Sequence, residues 1–324
     1  MGSTFIRSAC APKLSGLDCI AVSSKSQSFA YRAGPAGTTL PNGRPALARR
    51  VETTRTHHDR TAKLVVSALA FAPLVAFAQD TATIRWGIDP TYPPFEAKQP
   101  DGSLAGFDID LRNAICEQLR AKCVWVEQGF DGMIPALRAR KFDVIMSAMT
   151  ATDERLKQID FSNKLYASPG ALVAPAGSKL LPTAASLAGK RVGIDQGTTQ
   201  EAYAKAEWAT RGVTIVSYQN QDQVYQDLVN GRLDATFQDK TQAGYSFLKT
   251  PRGKGYAFAG PDVTDVRITG YGVAMGVRKG DDAMKKRLND AIVAIRANGT
   301  YQKIAAKYFD FDIYGAKQQL TSAP

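Results

Sequence analysis

The residues able to move protons or hold metals are unevenly spread along the chain. Both histidines, His57 and His58, lie before Ala78, so residues 79–324 contain no imidazole. Histidine-based triads and zinc sites are excluded there. Neither GxxxxGK[ST] nor GxGxxG occurs; the nearest approach, GYGVAMG at 270–276, has the wrong spacing for a phosphate cradle. What remains is carboxylate and guanidinium chemistry. Asp89, Asp195 and Asp239 each end or directly follow a strand-like run, and could in principle act as general acids or bases if their surroundings tuned them. Arg155 follows the apolar run Phe142–Met146 through the polar loop SAMTATDE. A guanidinium fork at such a place can hold a carboxylate through two parallel hydrogen bonds, whereas an isolated loop arginine is ordinarily a solvated charge. Cys116 and Cys123 share the stretch CEQLRAKC, which is not the CxxC of a redox pair.

The charge balance is equally local. The whole chain carries 41 Lys+Arg against 30 Asp+Glu, a net +11 that would suggest anionic partners. Residues 1–78 account for most of it, with 10 basic and 3 acidic residues, leaving +4 on the remainder, so no nucleic-acid partner is expected. Residues 64–75, LVVSALAFAPLV, form an uncharged apolar run of 12, preceded by Arg60 and Lys63 and followed by Ala76-Phe77-Ala78. This is the layout of a secretory signal peptide over 60–78, cleaved between Ala78 and Gln79, and it is too short for the roughly 20 residues of a membrane span. Residues 1–59 are rich in Ser, Thr, Arg, Gly and Pro without periodicity. They read as a disordered leader, either a segment upstream of the true translation start or a targeting peptide. Export to an oxidising compartment predicts a Cys116–Cys123 disulfide, the alternative being two free buried thiols. So short a loop contributes less than the typical gain of about 2–4 kcal/mol.

Residues 79–324 exceed one ordinary core and fit two domains. Thr83–Ile88 reads as a strand, and Asp110–Arg120 as a helix with Leu111, Ile115 and Leu119 on one face. A strand at Val124–Val126, a helix at Met133–Arg140 and a buried strand at Phe142–Met146 complete a βαβαβ unit. The pattern restarts with strands at Gly189–Ile194, Val213–Val216 and Asp234–Phe237 and helices from Thr199 and over Gln221–Asn230. This order implies an α/β fold whose sheets are parallel, with helices on both faces. A helix with Leu288, Ile292 and Ile295 on one face, an Asn298-Gly299 stop and a helix over Tyr301–Phe309 close the chain, and the tail 317–324 frays.

With these elements in place, the chain resembles the periplasmic solute-binding proteins of polar amino-acid ABC importers, family 3, particularly the lysine/arginine/ornithine-binding and histidine-binding proteins. The likeness runs from about Ile84 to Gly315 and is carried by WGIDPTYPPFE at 86–96, GFDIDL at 106–111 and FDGMIPAL at 130–137. It continues through Ile145–Arg155, QGTTQE at 196–201, GRLDATFQD at 231–239 and GTYQKIAAKYFDFDIYG at 299–315. The resemblance implies a type II, Venus-flytrap fold of two lobes, each a mostly parallel sheet flanked by helices, joined by two hinge strands. Lobe 1 would be 79–167 and 272–316, and lobe 2 would be 168–271. Ligands of such folds sit at the carboxyl ends of the strands.

The resemblance also assigns roles. Arg155 would hold the ligand α-carboxylate, helped by backbone N–H groups of Thr198 and Thr199 beside Gln200; otherwise both threonines are plain helix caps. Asp239 would hold the α-ammonium, with Ser147 and Thr150 hydrogen-bonding beside Arg155. Tyr92 and Phe130 would sandwich the ligand side chain, their alternative being core packing. Asp89 would face the distal cationic end, with Asp108 assisting directly or through water. Two positions depart from the relatives. Asp195 stands where an apolar residue is usual, and either reaches the pocket or faces solvent and caps the turn; Ala148 stands where a hydroxyl is frequent.

The implied function is periplasmic capture of a cationic L-amino acid (arginine, lysine, ornithine or histidine) by a monomer that delivers it to an inner-membrane ABC permease, without cofactor, metal or turnover. The alternatives are an opine-type arginine-derivative binder and a secreted dehydratase on the same fold. A sensor input module would continue into a membrane helix beyond FDIYG, and a free-standing carrier is expected instead.

Overall fold

The computed structural model describes residues 83–315. The leader over 1–59, the signal peptide over 60–78 and the tail over 317–324 lie outside the described residues.

The chain opens with β1 (Thr83–Ile88), whose Ile84, Trp86 and Ile88 are buried. A small antiparallel sheet follows, made of β2 (Thr91–Tyr92), β3 (Glu96–Lys98) and β4 (Leu104–Ala105). Next come α1 (Phe107–Leu119), β5 (Lys122–Glu127), a 3-10 turn (Phe130–Gly132), α2 (Met133–Arg138), β6 (Val144–Ile145), α3 (Asp153–Leu156) and β7 (Ile159–Tyr166). The second lobe holds β8 (Gly170–Pro175), α4 (Ala184–Leu187), β9 (Arg191–Asp195), α5 (Thr199–Glu207), β10 (Thr214–Tyr218) and α6 (Gln221–Val229). It continues with β11 (Ala235–Asp239), α7 (Lys240–Ala243), β12 (Tyr256–Phe258) and α8 (Val266–Thr269). The chain then re-enters the first lobe through β13 (Val273–Arg278), α9 (Asp282–Ala297) and α10 (Thr300–Tyr308).

Each lobe is built on a five-stranded sheet, and the two sheets have matching orders, β5-β1-β6-β13-β7 and β10-β9-β11-β8-β12. The expectation of parallel sheets holds for β5, β1 and β6 and for β10, β9 and β11. It needs correction for the rest, because β13 runs antiparallel to β6 and β7, and β8 antiparallel to β11 and β12. The reason is topological. β13 and β8 are the strands that arrive from the other lobe, so they enter without a helical crossover and can run the opposite way. The helix–strand alternation that revealed the parallel strands is silent there.

α1 starts at Phe107, three residues before the predicted Asp110. Gly106 allows this at φ 137°, where an added Cβ would lie 2.2 Å from the Phe95 carbonyl oxygen. The turn buries Phe107 and Asp108 in the first helical turn. Cys116 in α1 and Cys123 in β5 are joined by a disulfide. Trp86, Phe107, Leu111, Ile115, Ile292 and Ile295 fill the core of the first lobe; Val192, Ile194, Trp208 and Phe237 fill that of the second. Among the described residues, no helix is long and apolar enough to cross a membrane.

Candidate functional site

Asp89 follows β1, Ser147 follows β6, and Asp195 and Asp239 end β9 and β11. All four line one cleft between the lobes, at strand carboxyl ends, with a void space of about 480 Å³ including its opening. Tyr92, Phe130, Ala148, Thr150, Arg155, Thr198, Thr199 and Gln200 line it too, together with Thr91 and Glu96, for which the sequence suggested no role.

The first lobe presents a connected set of acceptors. The Asp89 carboxylate accepts the Thr91 hydroxyl at 2.7 Å on Oδ1 and the Phe130 amide at 2.9 Å on Oδ2. Its own amide donates to Ser147 Oγ at 3.0 Å, and that hydroxyl donates to Glu96 Oε1 at 2.9 Å. Ser147 therefore links the Asp89 backbone to Glu96. Burial raises the Asp89 carboxyl above its ordinary range. It raises Glu96 well above, with the neighbouring Asp108 acting in the same direction. Glu96, the last residue of the motif WGIDPTYPPFE, begins the short strand β3 and is 1% exposed.

Asp108 departs from its expected place. It does not line the cleft but sits fully buried behind it, accepting the Ala148 amide at 3.0 Å and the Tyr166 hydroxyl at 2.9 Å. Its position in the buried first turn of α1 causes this. Ala148 is held at φ 46°, a left-handed conformation costly for a residue with a Cβ, and the Asp108 contact helps hold it there. Burial lifts Asp108 to about 6.

Arg155 bridges the lobes. Nη1 donates to the Thr150 carbonyl at 2.8 Å and Nη2 to the Gly197 carbonyl at 2.9 Å, while its guanidinium carbon lies 5.4 Å from the centre of the Phe130 ring. Burial lowers it to about 10, so it remains a cation at neutral pH. A second bridge runs from Gln196 Nε2 to Asp131 Oδ2 at 2.7 Å.

In the second lobe, Thr198 caps α5 by accepting the Glu201 amide at 3.1 Å, and its hydroxyl donates to the Asp195 carbonyl at 2.7 Å. The cleft thus meets the amide-rich amino terminus of a nine-residue helix. Asp239 Oδ1 accepts the Ser168 hydroxyl and the Gln242 amide, both at 2.9 Å, and burial raises the carboxyl to about 6. Asp195 is 6% exposed and faces the cleft lining, not solvent. Burial, then the charge of Asp89, raise it well above the carboxylate range. Tyr92 lies among these acids, with burial and then Asp239 and Asp195 raising its hydroxyl.

The lining thus holds four carboxyl groups, Asp89, Glu96, Asp195 and Asp239, against one guanidinium among the described residues. Such a cleft suits a molecule bearing one carboxylate and more than one positive group.

Two α/β lobes of like topology with a polar cleft between them define a bilobal binding protein. The chain belongs to the bacterial extracellular solute-binding proteins, family 3, which match over residues 84–311. It is 49% identical over 257 residues to the histidine-binding periplasmic protein of Escherichia coli K12, covering 78% of this chain and 99% of that protein. It is likewise 49% identical to the L-arginine-binding protein of Pseudomonas aeruginosa, over 79% of this chain and 99% of the relative. Among solved structures, an ancestral arginine-binding protein bound to arginine is similar with a TM-score of 0.66 at 35% identity, covering 70% of this chain and 98% of that one.

Proposed function

We propose that the protein captures a cationic L-amino acid in the periplasm, as a monomer, by closing its lobes around it, and delivers it to an inner-membrane ABC importer without chemical turnover. The observation that carries this reading is the charge balance of the cleft, four carboxyl groups against Arg155. Arg155 would hold the α-carboxylate, with the amino terminus of α5 adding backbone donors, and Asp239 the α-ammonium. Asp89 would take the side-chain cation, and Tyr92 and Phe130 would flank the stem that carries it. Because Arg155 and Asp89 belong to one lobe and Asp239 to the other, such a ligand stabilises closure from both sides, a population shift driven by its differential affinity. The relatives named for histidine and for L-arginine bear on the same class of ligand.

Calorimetry on protein refolded free of ligand tests the proposal. Binding of arginine, lysine, ornithine or histidine at micromolar or tighter affinity, with weaker binding of glutamine, supports it. No binding of any of these overturns it, and turnover of prephenate or arogenate would replace it with a dehydratase.

A further inference from the structure

We infer that Asp195 and Asp89 form a two-carboxylate clamp, one arm from each lobe, that makes the cleft selective for a guanidinium side chain over ammonium and imidazolium ones. The inference rests on the reading of the preceding subsection and narrows its ligand to the arginine class.

Asp195 has no internal reason to be where it is. Its Oδ1 is buried without a hydrogen-bond partner among the described residues. The turn after it is capped by others, since Thr198 accepts the Glu201 amide and Glu201 accepts the Gly197 amide at 2.8 Å. The charges that bear on it, Asp89, Glu201 and Asp131, are all acids. Glu201 is occupied by Lys205 at 2.6 Å, and Asp131 by Gln196. Arg155, the cation of the cleft, donates to the Thr150 and Gly197 carbonyls and not to Asp195. A buried carboxylate oxygen left without a donor is costly, so what binds in the cleft must supply one.

Asp89 can take part because each of its oxygens already accepts one donor, from Thr91 and Phe130, and each retains capacity for another. Those two contacts fix the carboxylate plane from the first lobe, while Asp195 approaches from the end of β9 in the second. A cation held by both must donate along two edges at once. The guanidinium does this with five coplanar N–H donors and spreads one charge between the two acids. An imidazolium has two donors, and an ammonium is a compact point charge that needs a tighter cage. The flat rings of Tyr92 and Phe130 in the lining favour a planar cation in the same way.

The test is calorimetry with L-arginine, L-citrulline, L-lysine and L-histidine on the wild type and on Asp195→Asn, whose folding is checked by its melting curve. Citrulline keeps the shape of arginine and lacks the charge. The wild type is expected to prefer arginine to each of the others by about tenfold or more, and Asp195→Asn to shrink the arginine-to-citrulline affinity ratio about 10- to 100-fold. Arginine binding should also release more protons in the wild type than in the variant, read from the dependence of the heat on buffer ionisation enthalpy. An unchanged arginine-to-citrulline ratio, or a wild type that prefers histidine, overturns the clamp while leaving amino-acid capture standing. A wild type that binds none of the four overturns both.

Discussion

Lowering the pH should weaken ligand binding, and the cleft sets the size of the effect. Burial raises the Asp239 carboxyl from an ordinary 3.8 to about 6. The groups facing it are the Ser168 hydroxyl, the Thr241 and Gln242 amides and the phenols of Tyr92, Tyr166 and Tyr225, none of which is a cation. An α-ammonium is held by the carboxylate and not by the acid, so affinity is fully present above the free-state pKa and is lost as pH falls through it. With one proton competing near pH 6, the apparent Kd should rise about tenfold between pH 7.5 and 5.0, about 1.4 kcal/mol. Burial raises the Asp195 and Glu96 carboxyls as well. Arginine is the ligand to titrate, because its own charges do not change in that window and those of histidine do. Asp108 also titrates near 6 behind the cleft, so the comparison needs Asp239→Asn, which should bind more weakly and with a shallower slope of log Kd against pH. A Kd constant within twofold from pH 7.5 to 5.0, or one that tightens in acid, would refute the reasoning.

Arg155→Ala should weaken every amino-acid ligand alike, by about 10- to 100-fold as measured by calorimetry, since a charge-assisted pair contributes about 1.5–3 kcal/mol and the α-carboxylate is common to all. Asp89→Asn should weaken arginine and lysine by a similar factor but glutamine by much less; equal losses would remove Asp89 from side-chain recognition. Gly197→Ala should weaken all ligands without favouring one. Gly197 lies at φ 78°, and an added Cβ would stand 2.9 Å from Asp131 Cα on the facing lobe, so the methyl opposes closure itself. An unaffected Kd in that variant would mean that the lobes close by another path. Replacing both Cys116 and Cys123 with Ser should lower the melting temperature by a few degrees, the loss from so short a loop being below about 2–4 kcal/mol. Arginine affinity should stay within twofold, because neither cysteine lines the cleft.

The parallel strands and the helices between them were legible in the sequence, because continuous apolar runs alternate with helical periodicity. The reversed strands β13 and β8 were not, since each is defined by a partner from a distant part of the chain. The same division governs the cleft. Asp89 and Asp239, placed by the resemblance at strand carboxyl ends, line it, as does Asp195, for which the sequence left the pocket and the solvent open. Glu96 and Asp108 could not be separated by pattern. Both are acids within family motifs, yet Glu96 faces the cleft and Asp108 lies behind it, a difference set by how α1 packs after the turn at Gly106. Ser147 shows the same limit, because its partners Asp89 and Glu96 come from segments more than fifty residues earlier.

The cleft acids and the scaffold acids depend on pH in opposite ways, which follows from their surroundings. Asp143 accepts Arg85 at 2.9 Å and Arg278 at 3.2 Å, Asp160 pairs with Lys279 at 2.9 Å, and those cations and donors hold both carboxyls below the usual range despite burial. Groups of that kind stabilise the fold above their unfolded pKa, and the gain is lost as pH falls through the folded value. Asp239 works against the fold. A carboxyl raised from 3.8 to about 6 opposes folding by about 3 kcal/mol at neutral pH, a cost that lessens as pH falls and the group protonates. The lobes tolerate that cost because Asp239 caps α7 through the Gln242 amide and because the scaffold pairs act elsewhere. A bound cation removes it at neutral pH by favouring the ionised form. Under the proposed role of Asp239, part of the affinity for any α-amino acid comes from relieving a cost that the free protein carries, whereas the preference for a cationic side chain over a neutral one of the same shape rests on Asp89 and Asp195.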